Sequence, residues 1–413
     1  MLSLKPDISN KIKTIVGEYP PQFWLVAAGV LLSSAGSSLI WPFQLIYISK
    51  TLTLPISAVA TLISISSATG LAASFLGGSI ADRFGRKPIM LAAQAAHGIA
   101  YLLMIRAHTY AGFVLPMTIM GAAMPFYAIG SDAMMADMLP SEKRTSAYAI
   151  LRMINNTGIA IGPAIGGLIV TKSYSLAFTL AASGMLAYSL LLLIFARETL
   201  QRQAGTQAQK RESLGGYGRV LRDGSFIGFV AAIALGMIAP LMMWTLLAVY
   251  MNKYYGLPES LYSWIPITNA VMCVLVQYPV TMLTRRLRAK TAITLGMFSY
   301  ALGVGSVALM TGFWGFWLSM VVMTMGELIL VPTGSKYVAD IAPEDLRGRY
   351  MSVYWLTWGV ARAAAPMVGG YLHDAIAPQA IWWGGLLIGL VSTFTLFLLS
   401  RRPEKSPVLS PAD

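Results

Sequence analysis

The chain alternates long apolar stretches with short polar breaks. Segments such as GMLAYSLLLLIFA, WWGGLLIGLVSTFTLFLLS and VLVQYPVTML lie within runs near or above the ~20 residues that cross ~30 Å of hydrocarbon. In lipid every backbone amide must be satisfied inside its own segment, so runs rich in Leu, Ala, Met and Gly predict helices, not barrel strands. Counting between charged or turn-rich breaks places twelve spans near 22–49, 57–81, 88–107, 111–139, 145–171, 174–196, 225–251, 260–284, 291–311, 313–341, 350–374 and 378–400. The expectation is an all-α polytopic membrane protein.

Composition agrees: of 413 residues 56% are hydrophobic and 11% charged, where a soluble domain carries roughly 25% charged residues. The opening MLSLKPDISNKIKTIVGEYPPQ is polar and basic ahead of the first apolar run, which reads as no cleavable signal peptide. A single cysteine, Cys273, lies inside a span and excludes a disulfide within one chain. The net charge of +13 is distributed by position: Lys5, Lys11 and Lys13 precede the first span, Arg83, Arg86 and Lys87 follow the second, and Lys143 and Arg144 follow the fourth. Arg197, Arg202, Lys210, Arg211, Arg219 and Arg222 follow the sixth, then come Arg285, Arg286, Arg288 and Lys290, Arg347 and Arg349, and Arg401, Arg402 and Lys405. The opposite loops hold little more than Lys50, Arg106, Lys172 and Lys253. By the positive-inside rule both termini and the central loop are expected in the cytoplasm, the protein lying in the plasma (inner) membrane. The basic balance reports topology, not a nucleic-acid partner.

One long polar stretch, 197–224, falls mid-chain and invites a search for a repeat. At a constant offset of 203 residues, ADMLPSEKRTSAY aligns with ADIAPEDLRGRYM, pairing Asp137 with Asp340, Pro140 with Pro343 and Arg144 with Arg347. The same shift carries GPAIGG onto APMVGG, DRFGRK onto RRLRAK and Trp41 onto Trp244. The predicted organisation is two pseudo-symmetric six-helix bundles, 1–196 and 225–413, joined by a cytoplasmic linker at 197–224. A parallel repeat of this kind places a site near the bilayer midplane between the halves.

Between the second and third spans stands GGSIADRFGRKPIM. Gly85 supplies backbone freedom for a tight turn and Pro88 starts the next helix. Asp82 ends its span where it can meet the positive end of a helix in the other half, and Arg83 or Arg86 can pair with Asp137. A solvated basic turn is the plain alternative; glycine spacing and the Asp137 partner favour a latch. The stretch, with Gly78, Asp82, Arg83, Gly85, Arg86 and Lys87, resembles the loop between helices two and three of the major facilitator superfamily, whose halves are a standing instance of a parallel repeat. GIAIGPAIGG is similar to the fifth-helix motif of its twelve-helix drug:proton antiporters, with Ala149 where that pattern's first glycine falls, and GELILVPTGSKYVADIAPEDLRGRY is similar to their tenth helix and following loop. The small residues of GPAIGG also have a packing reading that needs no solute.

Ionisable residues inside a span cost at least ~2.5 kcal/mol and are functional candidates by default. Glu327 lies mid-span in helix ten, and Arg362 lies equally far beyond the intervening loop in helix eleven, so antiparallel neighbours are expected to pair them. Asp132 and Arg152 obey the same arithmetic nearer the cytoplasm. Lys336 is four residues before Asp340 and should pair there. The resemblance assigns helix-ten acids such as Glu327 to proton or cation handling; a static ion pair is the alternative. Antiporters of the family usually carry an arginine in helix four, and AGFVLPMTIMGAAMPFYAIG has none, which leaves Arg152 or Arg362 to substitute. The fold implied by the resemblance lines its cavity with helices one, four, seven and ten. Trp41, Gln44, Met124, Phe126, Trp244 and Met323 lie near their midpoints beside Glu327, a lining suited to amphipathic, cationic molecules.

These features imply a secondary transporter, a proton-coupled exporter of amphipathic, drug-like molecules working by alternating access as a monomer. A lipid or lysolipid flippase or a metabolite facilitator is the alternative, in which Arg152 and Arg362 meet an anionic group. There is no HExxH, no glycine-rich nucleotide loop and no His or Cys cluster, so neither an enzyme nor a cofactor is expected.

Overall fold

Backbone self-sufficiency in lipid leaves only helices, and a computed structural model, describing residues 17–200, 217–343 and 346–401, shows how they are arranged. Among the described residues there are twelve long helices, of which ten, or eleven counting one broken helix, are long and apolar enough to cross a membrane. They are α1 (21–51, continuous through a 3-10 turn at Trp41–Phe43), α2 (Ile56–Phe84), α3 (Arg86–Arg106), α4 (Tyr110–Met138), α5 (Ser141–Val170) and α6 (Tyr174–Phe195). After a short helix at Tyr217–Arg222 come α7 (Gly224–Tyr255), α8 (259–284, broken), α9 (Ala289–Leu309), α10 (Phe313–Ile341), α11 (Arg347–Ala375) and α12 (Ala380–Ser400). Each lies within a few residues of its expected span. The basic residues at 5, 11, 13, 202, 210, 211, 402 and 405, and most of the central linker, lie outside the described residues.

Helix packing follows the repeat. In the first half α1 packs on α5 and α6, α2 on α4, and α3 on α4 and α6; in the second α7 packs on α11 and α12, α8 on α10, and α9 on α10 and α12. The GIAIGPAIGG stretch provides the close approach its small residues suggest. A Cβ on Gly162 would lie 2.8 Å from the Ala35 carbonyl oxygen, and Ser38 Oγ donates to the Gly158 carbonyl at 3.0 Å.

Two prolines shape the helices nearest Glu327. Pro279 has no N–H for the Leu275 carbonyl and its ring conflicts with it, and α8 bends by 57° between Leu275 and Gln277. Pro332 likewise frees the Leu328 carbonyl in α10. Gln277 Nε2, at the bend of α8, donates to that carbonyl at 2.9 Å. One broken helix thus satisfies the orphan of the other, as a lipid environment demands.

The halves meet on the face opposite the chain ends, called here the far face. Lys50 and Tyr174 of the first half contact Glu259 Oε1 of the second at 2.6 and 2.9 Å. Asp374 Oδ2 of α11 accepts from the Ser57 N–H in the first turn of α2 at 2.7 Å. His373 bridges Asp374 to Tyr254, each at 2.5 Å. Two glycines at repeat-related positions seal this side. A Cβ on Gly167 would lie 3.2 Å from the Glu259 carbonyl, and one on Gly370 2.7 Å from Ser57 Cα. Toward the terminal face Phe75, Leu76, Met153 and Trp355 are exposed. Between the two ends Gly359 of α11 approaches Leu71 of α2.

Backbone cannot yield as a side chain can, so Gly370→Val should disfavour this closed far face by about 1–3 kcal/mol. Spin labels at Thr53 and Gln379 are expected to report a longer separation in that variant; an unchanged distance distribution rules out the seal.

Candidate functional site

The turn after α2 is a charged cluster built on the start of α3. Gly85 sits at φ +107°, a region costly for other residues. A Cβ there would also lie 2.9 Å from Glu198 Cδ. The Glu198 carboxylate accepts from the backbone N–H groups of Arg86 and Lys87 at 3.0 and 3.1 Å, first-turn donors that have no partner within the helix. Arg86, not Arg83, meets Asp137, its Nε 3.2 Å from Oδ2, and its Nη1 lies 2.8 Å from Asp82 Oδ1. Arg83 lies over the Phe84 ring. Lys87 Nζ donates to the Leu193 carbonyl at 2.9 Å. Gly78 faces open space. Sequence reasoning missed Glu198. Its signal was an acid just after the sixth span, close enough to answer a helix start, which favours negative charge.

Burial raises the Glu198 carboxyl, but hydrogen bonds from Leu200, Arg86, Lys87 and Thr199 outweigh it and hold the group below its ordinary value. A lowered folded value means the contribution is full above the unfolded carboxylate range and is lost as pH falls through the folded value. Glu198→Ala should cost about 1 kcal/mol, the worth of a helix cap. Thermal melts at pH 7 and at pH 3 are expected to show the wild-type advantage at pH 7 shrink on acidification; an advantage equal at both excludes the cap.

In the membrane interior Glu327 Oε2 accepts from Asn269 Nδ2 of α8 at 2.9 Å, and the same amide is 3.0 Å from Thr324 Oγ1. Neither expected interior ion pair forms: among the described residues no ion pair joins Glu327 to Arg362 or Asp132 to Arg152. Equal distance from a turn fixes height along the bilayer but not direction around the helix. Glu327 turns toward α8. Arg362 lies three residues after Gly359, which approaches Leu71 of α2 in the first half, and is exposed. Arg152 is exposed and within electrostatic reach of Cys273 in α8, a thiol that Glu327 also influences. Asp132 is exposed, and Tyr148 donates to its backbone carbonyl. Lys336 and Asp340 do pair, at 2.5 Å.

The lining residues divide. Trp41 and Trp244 are in contact, ring centroids 5.8 Å apart and planes tilted by 41°, with Trp41 half exposed. They are repeat counterparts, so their contact marks the pseudo-two-fold axis. Met124 is exposed. Gln44, Phe126 and Met323 correct the expectation that a mid-span position faces the gap. Gln44 is buried with its amide on Met117 Sδ. Phe126 packs toward Gly77 of α2, and Met323 is buried against Gly303 of α9.

The Major Facilitator Superfamily profile matches residues 26–310 and 241–413. The chain belongs to the Major Facilitator Superfamily. Like its family it is a multi-pass membrane transporter, not an enzyme. Relatives include a Na(+), Li(+), K(+)/H(+) antiporter of Planococcus maritimus, 26% identical over 92% of this chain and 91% of that one. Another is multidrug resistance protein MdtH of Yersinia enterocolitica, 24% identical over 81% of this chain and 83% of that one. Among solved structures the nucleoside transporter NupG superposes with a TM-score of 0.79 at 15% identity, over 93% of this chain and 100% of that one. That likeness shows the fold.

Proposed function

We propose that this major facilitator is a proton-coupled exporter of amphipathic small molecules that works by alternating access. The observation that carries the reading is Glu327, an interior acid held by the Asn269 amide and not by a cation. A proton gained or lost at this acid shifts the balance between conformations to the extent that they stabilise its charge differently. The multidrug relative supports export. With the termini in the cytoplasm of the plasma membrane, as the distribution of basic residues favours, the gap opens inward.

The cluster at Asp82, Arg83, Gly85, Arg86, Lys87 and Asp137 is the latch for the opposite state. On the far face an acid of α11, Asp374, holds the first turn of α2. When the terminal face closes, Asp82 at the other end of α2 meets the first turn of α11, and the open surface at Gly78 is covered. The change exchanges one helix-start contact for its repeat-related opposite.

The antiporter relative supports a second reading, exchange of a monovalent cation for protons, for which Glu327 and the Thr324 hydroxyl offer oxygen ligands. Proteoliposomes with an imposed pH difference separate the two, using an amphipathic dye in one arm and sodium in the other. Dye accumulation that collapses with an uncoupler, and falls at least tenfold in Glu327→Gln while dye binding persists, is the expected outcome. Accumulation indifferent to the pH gradient defeats the proton-coupled reading, and gradient-driven sodium flux alone selects cation exchange. Asp82→Asn should slow transport severalfold with binding retained; full-rate transport removes the latch.

A further inference from the structure

Two arginines within membrane-spanning helices stand without an ion-pair partner among the described residues. Arg152 on α5 and Arg362 on α11 stand on helices equivalent under the repeat, one in each half. The repeat counterpart of Arg362 is position 159, seven residues beyond Arg152, so the two are stepped by about 10 Å in depth. Both are exposed. The acids expected to pair with them are Glu327, whose carboxylate is engaged by Asn269, and Asp132, which lies nearer the terminal face. An arginine inside a span is costly and persists where it has an anion or a water-filled path to serve.

Two lysines stand beyond the contact of Trp41 with Trp244. A cavity of about 360 Å³ opens on the far face, lined by Ile46, Ser49 and Lys50 from α1 and Val249, Asn252 and Lys253 from α7. These are three repeat-related pairs at the same 203-residue offset, so the cavity lies on the pseudo-two-fold axis, directly outside the tryptophans. Its two lysines flank the exit. Lys50 is bound to Glu259 of the other half, a bridge that opening of the far face must break.

We infer that the transported solute carries an anionic head, a carboxylate, sulfonate or phosphate, on an apolar body, and that Arg152 and Arg362 receive that head. The guanidinium fork suits planar or tetrahedral oxyanions. The apolar body meets Met124, Trp41 and Trp355, all exposed. This assigns the substrate class within the transport reading above and replaces the cationic cargo that the aromatic and methionine lining alone suggests.

The test uses the purified full chain and three probes with one naphthylhexyl body bearing a carboxylate, a phosphate or a trimethylammonium group. Binding is read by quenching of tryptophan fluorescence at equilibrium. The two anions are expected to bind at least tenfold tighter than the ammonium. Arg152→Gln and Arg362→Gln should each lower anion affinity about tenfold, while Arg362→Lys keeps the preference and controls for folding. Tighter binding of the ammonium, absence of anion binding, or anion affinity unchanged in both glutamine variants overturns the assignment. Equilibrium binding needs no proton gradient, so loss of pH-driven flux with anion binding intact would count against proton coupling and not against the anionic substrate.

Discussion

Hydrocarbon offers no partner to a polar group, and the architecture follows from meeting that demand within the protein. Helices answer it for most of the backbone. The exceptions are instructive: Pro279 and Pro332 each break the ladder, and the Gln277 amide at one break donates to the Leu328 carbonyl freed by the other. Glu327 is one residue from that carbonyl, so the acid on which coupling is proposed to turn rests on two deliberately irregular helices. Such irregularity is tolerated at membrane depth only where protein or a water-filled space surrounds it.

The same economy governs how the halves touch. Their closed side relies on backbone contacts made possible by Gly167 and Gly370 and on a few polar links, Lys50 to Glu259 and Asp374 to the start of α2. Small residues let helices approach without a hydrophobic driving force, which lipid does not supply between helices. Apolar contact joins the halves as well, Phe43 of α1 meeting Tyr262 of α8 edge-on with ring centroids 6.1 Å apart.

The sequence stated one dimension of this molecule clearly and another hardly at all. Span lengths, the repeat and the turn at Gly85 were legible because they depend on composition along the chain. Glu327 and Arg362 lie well inside long helices, as their positions along the chain suggest. Their azimuth was not legible, since 3.6 residues per turn and a local bend decide which neighbour a side chain meets. That is why two expected ion pairs do not form, and why Gln44, Phe126 and Met323 pack within their own halves. Glu198 is marked in the sequence only as an acid after the sixth span, and the backbone donors it answers come from a helix start 112 residues away.

The tryptophan contact at the axis has a consequence for how cargo must lie. At the level of Glu327 and Arg362 the first half offers Met124 and Ile159, while at the level of Arg152 the second half offers Trp355. Polarity therefore changes walls with depth, as in a staircase whose landings face alternate sides. For the cargo proposed above, the wall that receives the wet end changes from one half to the other between the two depths.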